Sequence, residues 1–442
     1  MLGSTDLIAA IATPMGSGAV SIVRLSGPGL LSALAKVLVL KRDLAKNPRQ
    51  TLLGQVKAQT GEVVDEVLAV YFPGPYSFTG EDCAEIQGHA GLVTPNLVLE
   101  ALFAAGARLA NPGEFTQRAF LNGRLSLDQA EAVAELVAAQ SRSEAILANR
   151  QLAGALKEKV DPIGQKLTNV AATLTAILDF EEPWEADDQT QLKAAIAELR
   201  EDLADLLTLR REGRVFREGL KIVLAGPPNA GKSILFNALL GLDRALVSPR
   251  PGTTRDYLEA TVNWEGLRVE LIDTAGLWAE STDEIDLLGQ DRTHKLLAAA
   301  DLIVWLRDLT NPNSPPAPKD VEAPVLTVYA KADLTKDLDP SLLAISAKTG
   351  QGLPQLKKEA LAKVGLSRSR PPELVPNYRH QKALEETAAA VANAAQALEE
   401  GQPPDVANLE IGEALKALGQ ITGRVMTEDL LTEVFSHFCL GK

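Results

Sequence analysis

Apolar and polar positions follow different patterns in successive parts of this chain. Up to about residue 118, short apolar runs are separated by Gly and Pro turns, which predicts a unit that mixes strands and helices. From about residue 120 to 213, and again from about residue 377 to the end, Ala, Leu, Glu and Gln recur at helical spacing with few breakers. The apolar runs of the first part lie at residues 7–13, 19–27, 67–74 and 83–89.

The region between the two helical stretches has apolar runs that are followed by glycine-rich or acidic turns. Residues 221–225 (KIVLA) predict a buried strand, and residues 233–240 (SILFNALL) predict a helix soon after it. Two further strands are predicted at residues 267–272 (LRVELI) and 324–329 (PVLTVY). Strands that alternate with helices in this way are typical of an α/β domain.

The order of these patterns predicts an N-terminal α/β domain, a helical bundle and a second α/β domain. Helical sequence on both sides of the central domain favours one discontinuous helical domain with the central domain inserted, and two separate bundles are the alternative. Pro183 and residues 401–404 (GQPP) interrupt the helical pattern, and residues 370–372 (RPP) resemble a linker. The predicted domain segments are 1–118, 119–213, 214–370 and 371–442.

Composition narrows the class of protein. With 442 residues and a hydrophobic share of 46%, the chain is long enough for two or three packed domains. Two cysteines are too few for a disulfide framework, and the N-terminus has no basic segment before an apolar one. No apolar stretch approaches the ~18 residues of a membrane span, so we expect a soluble, cytoplasmic protein. A net charge of −14 argues against broad, charge-driven nucleic-acid binding by this chain alone.

Residues 226–233 (GPPNAGKS) match the phosphate-binding pattern G-x-x-x-x-G-K-S at every position. A triphosphate needs backbone N–H donors and a helix N-terminus, and glycines let the main chain approach it closely. Two prolines in the loop have no N–H, so the cradle begins at the residue after them. We expect Lys232 on the β and γ phosphates and the Ser233 hydroxyl on Mg²⁺. The predicted cradle consists of Asn229, Ala230, Gly231, Lys232, Ser233 and Ile234.

Three downstream segments indicate that the nucleotide is a guanine nucleotide. Asp273, Thr274, Ala275 and Gly276 follow a predicted strand, as do the residues that hold Mg²⁺ and sense hydrolysis in such folds. Asp333 could accept hydrogen bonds from the N1 and N2 edge of guanine, and Lys331 could lie along the ring. Ser346, Ala347 and Lys348 could supply a backbone donor to the base carbonyl. Together these motifs predict a GTPase domain.

The guanine motif departs from the usual Asn-Lys-x-Asp at its first position, which is Ala330. The missing amide usually braces this loop against the base and the phosphate loop. We expect guanine preference to survive through Asp333, with affinity lower by roughly 1 kcal/mol, the value of one hydrogen bond.

Distinctive segments occur along the whole chain: AAIATP at residues 9–14, SIVRLSG at 21–27, FTGED at 78–82 with QGH at 87–89, PGEFTQRAFLNG at 112–123, and the closing FCLGK at 438–442. With these segments the chain resembles the tRNA modification GTPase family MnmE (TrmE). The phosphate and guanine motifs are shared with many GTPases. The run at residues 112–123 and the closing FCLGK are much more specific to this family.

The resemblance implies a Ras-like GTPase domain inserted into the helical domain, and an N-terminal domain that dimerises and binds a tetrahydrofolate derivative. Family members work with a flavin-dependent partner, MnmG (GidA), to place a carboxymethylaminomethyl or aminomethyl group on C5 of the wobble uridine of tRNA. A GTPase switch in ribosome assembly without one-carbon chemistry is the alternative. The family's folate contacts correspond to Arg24, Glu85, Arg124 and Lys442.

The resemblance also implies a potassium ion beside the phosphates when two GTPase domains meet, held by Asn229 of the phosphate loop and by the switch segment around residues 248–254. A turn residue is the plainer interpretation of Asn229. Oxygens for K⁺ would come from Asn229, Ser248, Arg250 and Thr253, and those for Mg²⁺ from Ser233 and Thr254. The nucleotide-binding segment consists of Ser248, Pro249, Arg250, Pro251, Gly252, Thr253 and Thr254.

Two further residues have roles that only the resemblance suggests. An acid in the switch region orients the attacking water in the family; alignment favours Asp286, and Glu284 is a near competitor. Cys439 lies near the folate site in the family and has been proposed to take part in catalysis, whereas a free thiol in a helix most often only packs. The C-terminal CLGK is a poor match to a prenylation box. The four histidines have no metal-ligand spacing.

Overall fold

The computed structural model of the chain describes residues 6–180, 186–242, 258–274, 296–335, 338–366, 371–436, 438–439 and 441. The chain forms two compact units. The first consists of Met1–Val137, Asn149–Leu207 and Tyr378–Lys442, and the second of Ala138–Ala148 and Thr208–Asn377. The first unit is therefore built from sequence on both sides of the second.

A seven-stranded sheet forms the N-terminal part of the first unit, with strand order β3-β4-β5-β6-β2-β1-β7. All neighbouring pairs are antiparallel except β1 with β7. The strands are β1 (Ile8–Ile11), β2 (Val20–Ser26), β3 (Leu38–Leu40), β4 (Leu52–Lys57), β5 (Val63–Phe72), β6 (Cys83–His89) and β7 (Arg108–Leu109). The four apolar runs of the sequence lie in β1, β2, β5 and β6.

Side chains alternate between the two faces of this sheet, and each face has its own cover. Val23 and Leu25 of β2 lie in the larger core, with helices α1 (Leu30–Val37) and α2 (Thr94–Ala104). On the opposite face, Phe115 of helix α3 (Glu114–Leu121) is fully buried against Ile8, Ala10 and Ala110. Arg24, between Val23 and Leu25 in sequence, therefore lies on the α3 side.

Four helices follow the sheet: α4 (Leu127–Ala138), α5 (Arg142–Leu152), α6 (Ala155–Phe180) and α7 (Ala186–Glu218). Helix α5 contributes to both units. The N–H of Ser143 donates to the Gly266 carbonyl at 3.0 Å, and Leu147 lies in the core of the second unit. Pro183, where a break was predicted, lies outside the described residues.

The second unit contains a five-stranded sheet of order β12-β11-β8-β10-β9, in which only the β10–β9 pair is antiparallel. The strands are β8 (Leu220–Ala225), β9 (Leu258–Trp264), β10 (Leu267–Asp273), β11 (Leu302–Asp308) and β12 (Val325–Ala330), with helices α8 (Lys232–Leu242) and α9 (Leu353–Lys363). Ile222 and Leu224 face one core, and Val223 and Ala225 face the other. Burial of both faces explains the uninterrupted apolar run of this central strand.

The second helical stretch returns to the first unit as α10 (Tyr378–Glu399), α11 (Pro404–Thr422) and α12 (Glu428–Ser436). Helix α11 packs against both α10 and α6, so segments from both sides of the second unit share one bundle. The prediction of a discontinuous helical domain with an inserted α/β domain is confirmed. None of the helices in the described ranges is long and apolar enough to cross a bilayer.

A buried ionic cluster links the two halves of this bundle. Glu131 of α4 accepts hydrogen bonds from Arg379 Nη2 at 2.7 Å, and its Oε2 lies 2.6 Å from His380 Nε2. Burial acts to raise the pKa of Glu131, but His380 and Arg379 outweigh it and lower that pKa to about 2. Arg379 also donates to the carbonyl of Gln420 at 2.8 Å, so one side chain joins α10 to both α4 and α11.

Candidate functional site

The loop after β8 has backbone angles that favour glycine, and its first residue lies close to the neighbouring strand β11. Gly226 has φ 145°, and a Cβ there would lie 2.5 Å from the carbonyl oxygen of Leu306 in β11. Asn229 and Gly231 also have positive φ, at 61° and 96°, and α8 begins at the next residue. The predicted strand, glycine loop and helix are therefore all present, and the loop ends at a helix N-terminus, where backbone N–H groups favour an anion.

Lys232 is the buried cation of this loop. Lys232 is 5% exposed, and its Nζ donates to the carbonyl oxygens of Gly226 at 2.9 Å and Pro227 at 3.0 Å. Burial lowers the pKa of Lys232, and the nearby charge of Asp273 opposes that effect. Ser233 is partly buried beside it, and Ile234 is 60% exposed on the outer side of the helix. Ala230 is buried, and its N–H donates to the Pro227 carbonyl at 3.3 Å.

Asp273 ends β10 directly beside the end of β8, where it pairs in register with Leu224. It is 1% exposed, and Thr274 after it is fully buried, with its hydroxyl donating to the Leu224 carbonyl at 2.9 Å. The structure thus brings a buried carboxylate, the Lys232 ammonium and the Ser233 hydroxyl to one edge of the sheet. Parallel strands present their carboxyl ends at such an edge, where α/β folds bind ligands.

The guanine loop and the segment 346–348 are joined by backbone hydrogen bonds. Tyr329 N–H donates to Leu343 O at 2.9 Å, Ile345 N–H to Tyr329 O at 2.8 Å, and Ala332 N–H to Ile345 O at 3.0 Å. Asp333 is exposed in a short 3-10 turn that follows Lys331. These bonds bring two segments that are adjacent only in the fold to the same place.

Ser346 has a structural role in this arrangement. It is fully buried, its N–H donates to Gln351 O at 3.0 Å, and its hydroxyl accepts from Thr349 N–H at 3.2 Å. Because that N–H is already bonded, a backbone donor for a base carbonyl would come from Ala347, which is partly buried, or from the exposed Lys348.

In the first unit, two of the predicted folate residues pair across strands β2 and β6. Arg24 Nη2 donates to Glu85 Oε1 at 2.8 Å, and both side chains are largely buried. The Arg24 guanidinium lies 5.5 Å from the ring centroid of Phe78 and 5.9 Å from that of Phe115. Arg124, just after the end of α3, contacts the loop that contains Phe78, since its Nε donates to the Ser77 carbonyl at 3.1 Å.

The C-terminal tail returns to this sheet. Cys439 is exposed and follows α12 instead of lying in a helix, so the assumption of a helical thiol is wrong. Its carbonyl accepts from Gly113 N–H at 3.4 Å. Gly441 has φ 85°, and a Cβ there would collide with the backbone of Ile11, which pairs with Val23 beside Arg24. The tail therefore reaches β1, the neighbour of the strand β2 that contains Arg24.

Several predicted site residues lie outside the described residues, and their roles stay predictions. These are Ser248, Pro249, Arg250, Pro251, Gly252, Thr253, Thr254, Ala275, Gly276, Asp286 with its competitor Glu284, and Lys442.

Comparison with known proteins extends over the whole chain. A family model described as the MnmE helical domain matches residues 127–439, and one described as the N-terminus of the GTP-binding protein TrmE matches residues 7–124. The tRNA modification GTPase MnmE of Akkermansia muciniphila is 40% identical over 98% of both chains. Proteins of the same name from Roseiflexus sp. and Moorella thermoacetica are each 41% identical over 99% of both chains. The chain belongs to the MnmE family.

The MnmE signature at residues 112–123 contains a buried ionic network that sequence reasoning missed. Arg118 is 5% exposed and donates to Glu114 Oε1 at 2.9 Å, Asp6 Oδ1 at 2.8 Å and Glu81 Oε2 at 3.1 Å. Glu114 also accepts from Arg108 Nη1 at 2.8 Å. The sequence did contain a signal for this network: Glu114 and Arg118 are four residues apart in a helix, and each is followed directly by an apolar residue.

This network extends into the MnmE segment at residues 78–82, which begins with Phe78. Glu81 accepts from the Ser26 hydroxyl at 2.7 Å, and that hydroxyl lies 2.7 Å from the Thr79 hydroxyl. Asn122 of the signature donates to Thr79 O at 2.7 Å. The signature therefore holds the loop whose Phe78 covers Arg24.

Proposed function

We propose that this chain hydrolyses GTP and, with the flavin-dependent partner MnmG, modifies C5 of the wobble uridine in tRNA with a carbon from tetrahydrofolate. The modification would be a carboxymethylaminomethyl or aminomethyl group, and the active form a homodimer in complex with MnmG. Membership of the MnmE family supports the tRNA and GTP parts of this proposal. The observation that supports it best is the edge of the second unit's sheet, where Lys232, Ser233 and Asp273 meet.

The residues at that edge fit a nucleotide with Mg²⁺. A buried carboxylate and a hydroxyl are the hard oxygen ligands that Mg²⁺ takes, so Asp273 and Ser233 would hold it, with Thr254. When bound, Mg²⁺ neutralises charge on the β and γ phosphate oxygens. Lys232 would move its ammonium from the loop carbonyls onto those oxygens, and the N–H groups from Asn229 onward would bind them as well. Asp333 would read the donor edge of guanine, and the acid at position 286 or 284 would orient water.

Potassium would stimulate hydrolysis through Asn229. We expect GTP hydrolysis at least about tenfold faster in KCl than in NaCl at equal ionic strength, because a fixed cation stabilises the transition-state charge. The variant Asn229→Gly should lose this stimulation. It keeps the left-handed backbone at φ 61° without strain and removes the whole side chain, including the amide oxygen that would hold K⁺.

The control is Asn237→Ala, on the exposed side of α8, which should keep the response to potassium. Equal rates in both salts for the unaltered chain would contradict the potassium role and favour a ribosome-assembly switch. Stimulation that persists in Asn229→Gly would make Asn229 a turn residue only.

The Arg24–Glu85 pair supports the folate part of the proposal. A carboxylate can pair with the donor edge of a pterin. The Glu85 carboxylate is held in one orientation by Arg24, whose Nε and Nη2 both donate to its Oε1. Phe78 offers an aromatic face that is 39% exposed beside the pair. Arg124 and Lys442 would bind the anionic glutamate of the folate. The C-terminal segment of the chain approaches Ile11 through Gly441, which brings Cys439 to the same end of the sheet.

Glu85→Gln should weaken binding of 5-formyltetrahydrofolate to the full chain by about tenfold, since a charge-assisted pair becomes a neutral one. Titration calorimetry would measure this. Glu66→Gln is the matched control, because Glu66 is an exposed glutamate on the neighbouring strand β5. GTP hydrolysis should be the same in both variants. Unchanged folate affinity in Glu85→Gln would remove this residue from the site.

A further inference from the structure

The guanine loop contains an ion pair that the family motif does not include. Lys331 Nζ lies 2.5 Å from Oδ2 of Asp308, the last residue of β11, and the lysine side chain is 32% exposed while that of Asp308 is 14% exposed. Burial acts to raise the pKa of Asp308, but the bonds from Lys331 and Thr310 outweigh it and lower that pKa. Asp308 is therefore ionised at neutral pH.

The carboxylate of Asp308 is itself held in place. Its Oδ1 accepts from Thr310 N–H at 2.8 Å and from the Thr310 hydroxyl at 2.6 Å, which leaves Oδ2 directed at the lysine. The Asp308 N–H donates to the Ser314 hydroxyl at 3.1 Å. A carboxylate held by two bonds at Oδ1, on a residue whose backbone N–H is also bonded, can hold a flexible lysine in one orientation.

The position of the pair matches the place where the motif departs from the usual one. Ala330 pairs in register with Asp308 across β11 and β12, and its methyl group is 6% exposed. The residue at 330 thus has no polar group to brace the loop. The chain instead braces it one residue later, through Lys331, from the neighbouring strand.

We propose that Asp308 is a positioning residue for the guanine base, acting through Lys331 in place of the missing amide at position 330. The inference rests on the proposed GTPase function and deepens it. Asp308 orders the lysine stem along the plane that the base would occupy, so less side-chain entropy is lost on binding. Asp308 also pairs with the ammonium of Lys331 and so keeps it from pairing with Asp333, two residues away. The exposed carboxylate of Asp333 then stays available to bind guanine.

Asp308→Asn tests this with little change of shape, because the amide oxygen can still accept the Thr310 bonds. We expect GDP to bind about fivefold to tenfold more weakly to the full-length variant, since a charge-assisted contact is lost. IDP, which lacks the N2 amine, should weaken by the same factor, because the lysine contacts the ring and not the amine. Adding Ala330→Asn should restore much of the affinity.

A double-mutant cycle with Lys331→Met separates positioning from general destabilisation. In the Lys331→Met background, Asp308→Asn should have no further effect on GDP affinity. Asp339→Asn is the control, since Asp339 accepts the same two bonds from Ser341, at 2.9 and 2.7 Å, but lies in a different loop. It should leave GDP affinity unchanged.

The outcomes distinguish the inference from the function on which it rests. If the unaltered chain bound no guanine nucleotide, the proposed function would fail. If it bound GDP and Asp308→Asn bound it equally well, or if the two substitutions were additive, only the positioning role would be wrong. If Asp308→Asn lowered the unfolding midpoint of the nucleotide-free protein, its weaker GDP binding would not by itself support the positioning role. That role would then require Lys331→Met alone to weaken GDP binding by the same factor, and a smaller effect would contradict it.

Discussion

Lys232→Met should lower the rate of GTP hydrolysis by about 100-fold to 1,000-fold, the usual effect of removing one preorganised donor from a transition state. The ammonium is buried and already lies within the loop, 2.9 and 3.0 Å from the carbonyls of Gly226 and Pro227. Transfer to the phosphate oxygens therefore needs only a short movement. Lys232 is 5% exposed and burial lowers its pKa, so its charge acts in surroundings of low polarity and therefore strongly.

Methionine keeps most of the aliphatic stem of Lys232, so packing under the loop should survive. Single-turnover hydrolysis with saturating GTP would measure the chemical step, and a separate titration would give nucleotide affinity. Lys221→Met is the control, because Lys221 lies near the other end of β8 and should keep its rate within twofold. A Lys232→Met rate within threefold of the unaltered protein would contradict the phosphate role.

Arg118→Met should reduce the free energy of unfolding of the first unit by about 3–5 kcal/mol, because one partner of a buried ionic network is removed. Arg118 binds Asp6, Glu81 and Glu114, and both it and Glu114 are 5% exposed. Burial acts to raise the pKa of Glu114, but hydrogen bonds from Arg108, the Asn111 N–H and Arg118 outweigh it and lower that pKa. Without Arg118, Glu114 keeps the Asn111 N–H and the partly exposed guanidinium of Arg108 as partners.

Urea unfolding followed by far-UV circular dichroism would measure the loss, with the two units treated as separate transitions. Arg108→Met is the matched control; its side chain is 37% exposed, so it should cost about half as much or less. Adding Glu114→Gln to Arg118→Met should recover part of the loss, because the uncompensated buried charge disappears. Equal losses for the two arginines would contradict the central place of Arg118.

A folded Arg118→Met chain should also bind folate more weakly, since Glu81 helps to fix the loop that contains Phe78.

The sequence alone determined those features that depend on neighbours along the chain. The phosphate loop was predictable because its strand, glycines, lysine and helix lie within about twenty consecutive residues, 221–240, and each has a local physical signature. The apolar run of β8 indicated a strand buried on both faces, and helical spacing on both sides of the central domain indicated an inserted domain. These are properties of periodicity and of short motifs, which a sequence contains directly.

Tertiary structure alone decided which distant residues meet. Arg118 and Asp6 are 112 residues apart, and their bond depends on how α3 packs against the N-terminal sheet. Lys331 and Asp308 meet because parallel strands β11 and β12 place Ala330 beside Asp308 in register. The Ser346 N–H is bonded to Gln351, and the Cys439 tail leaves its helix to reach Gly113. Such contacts depend on strand register and helix docking, and no spacing along the chain records either of them.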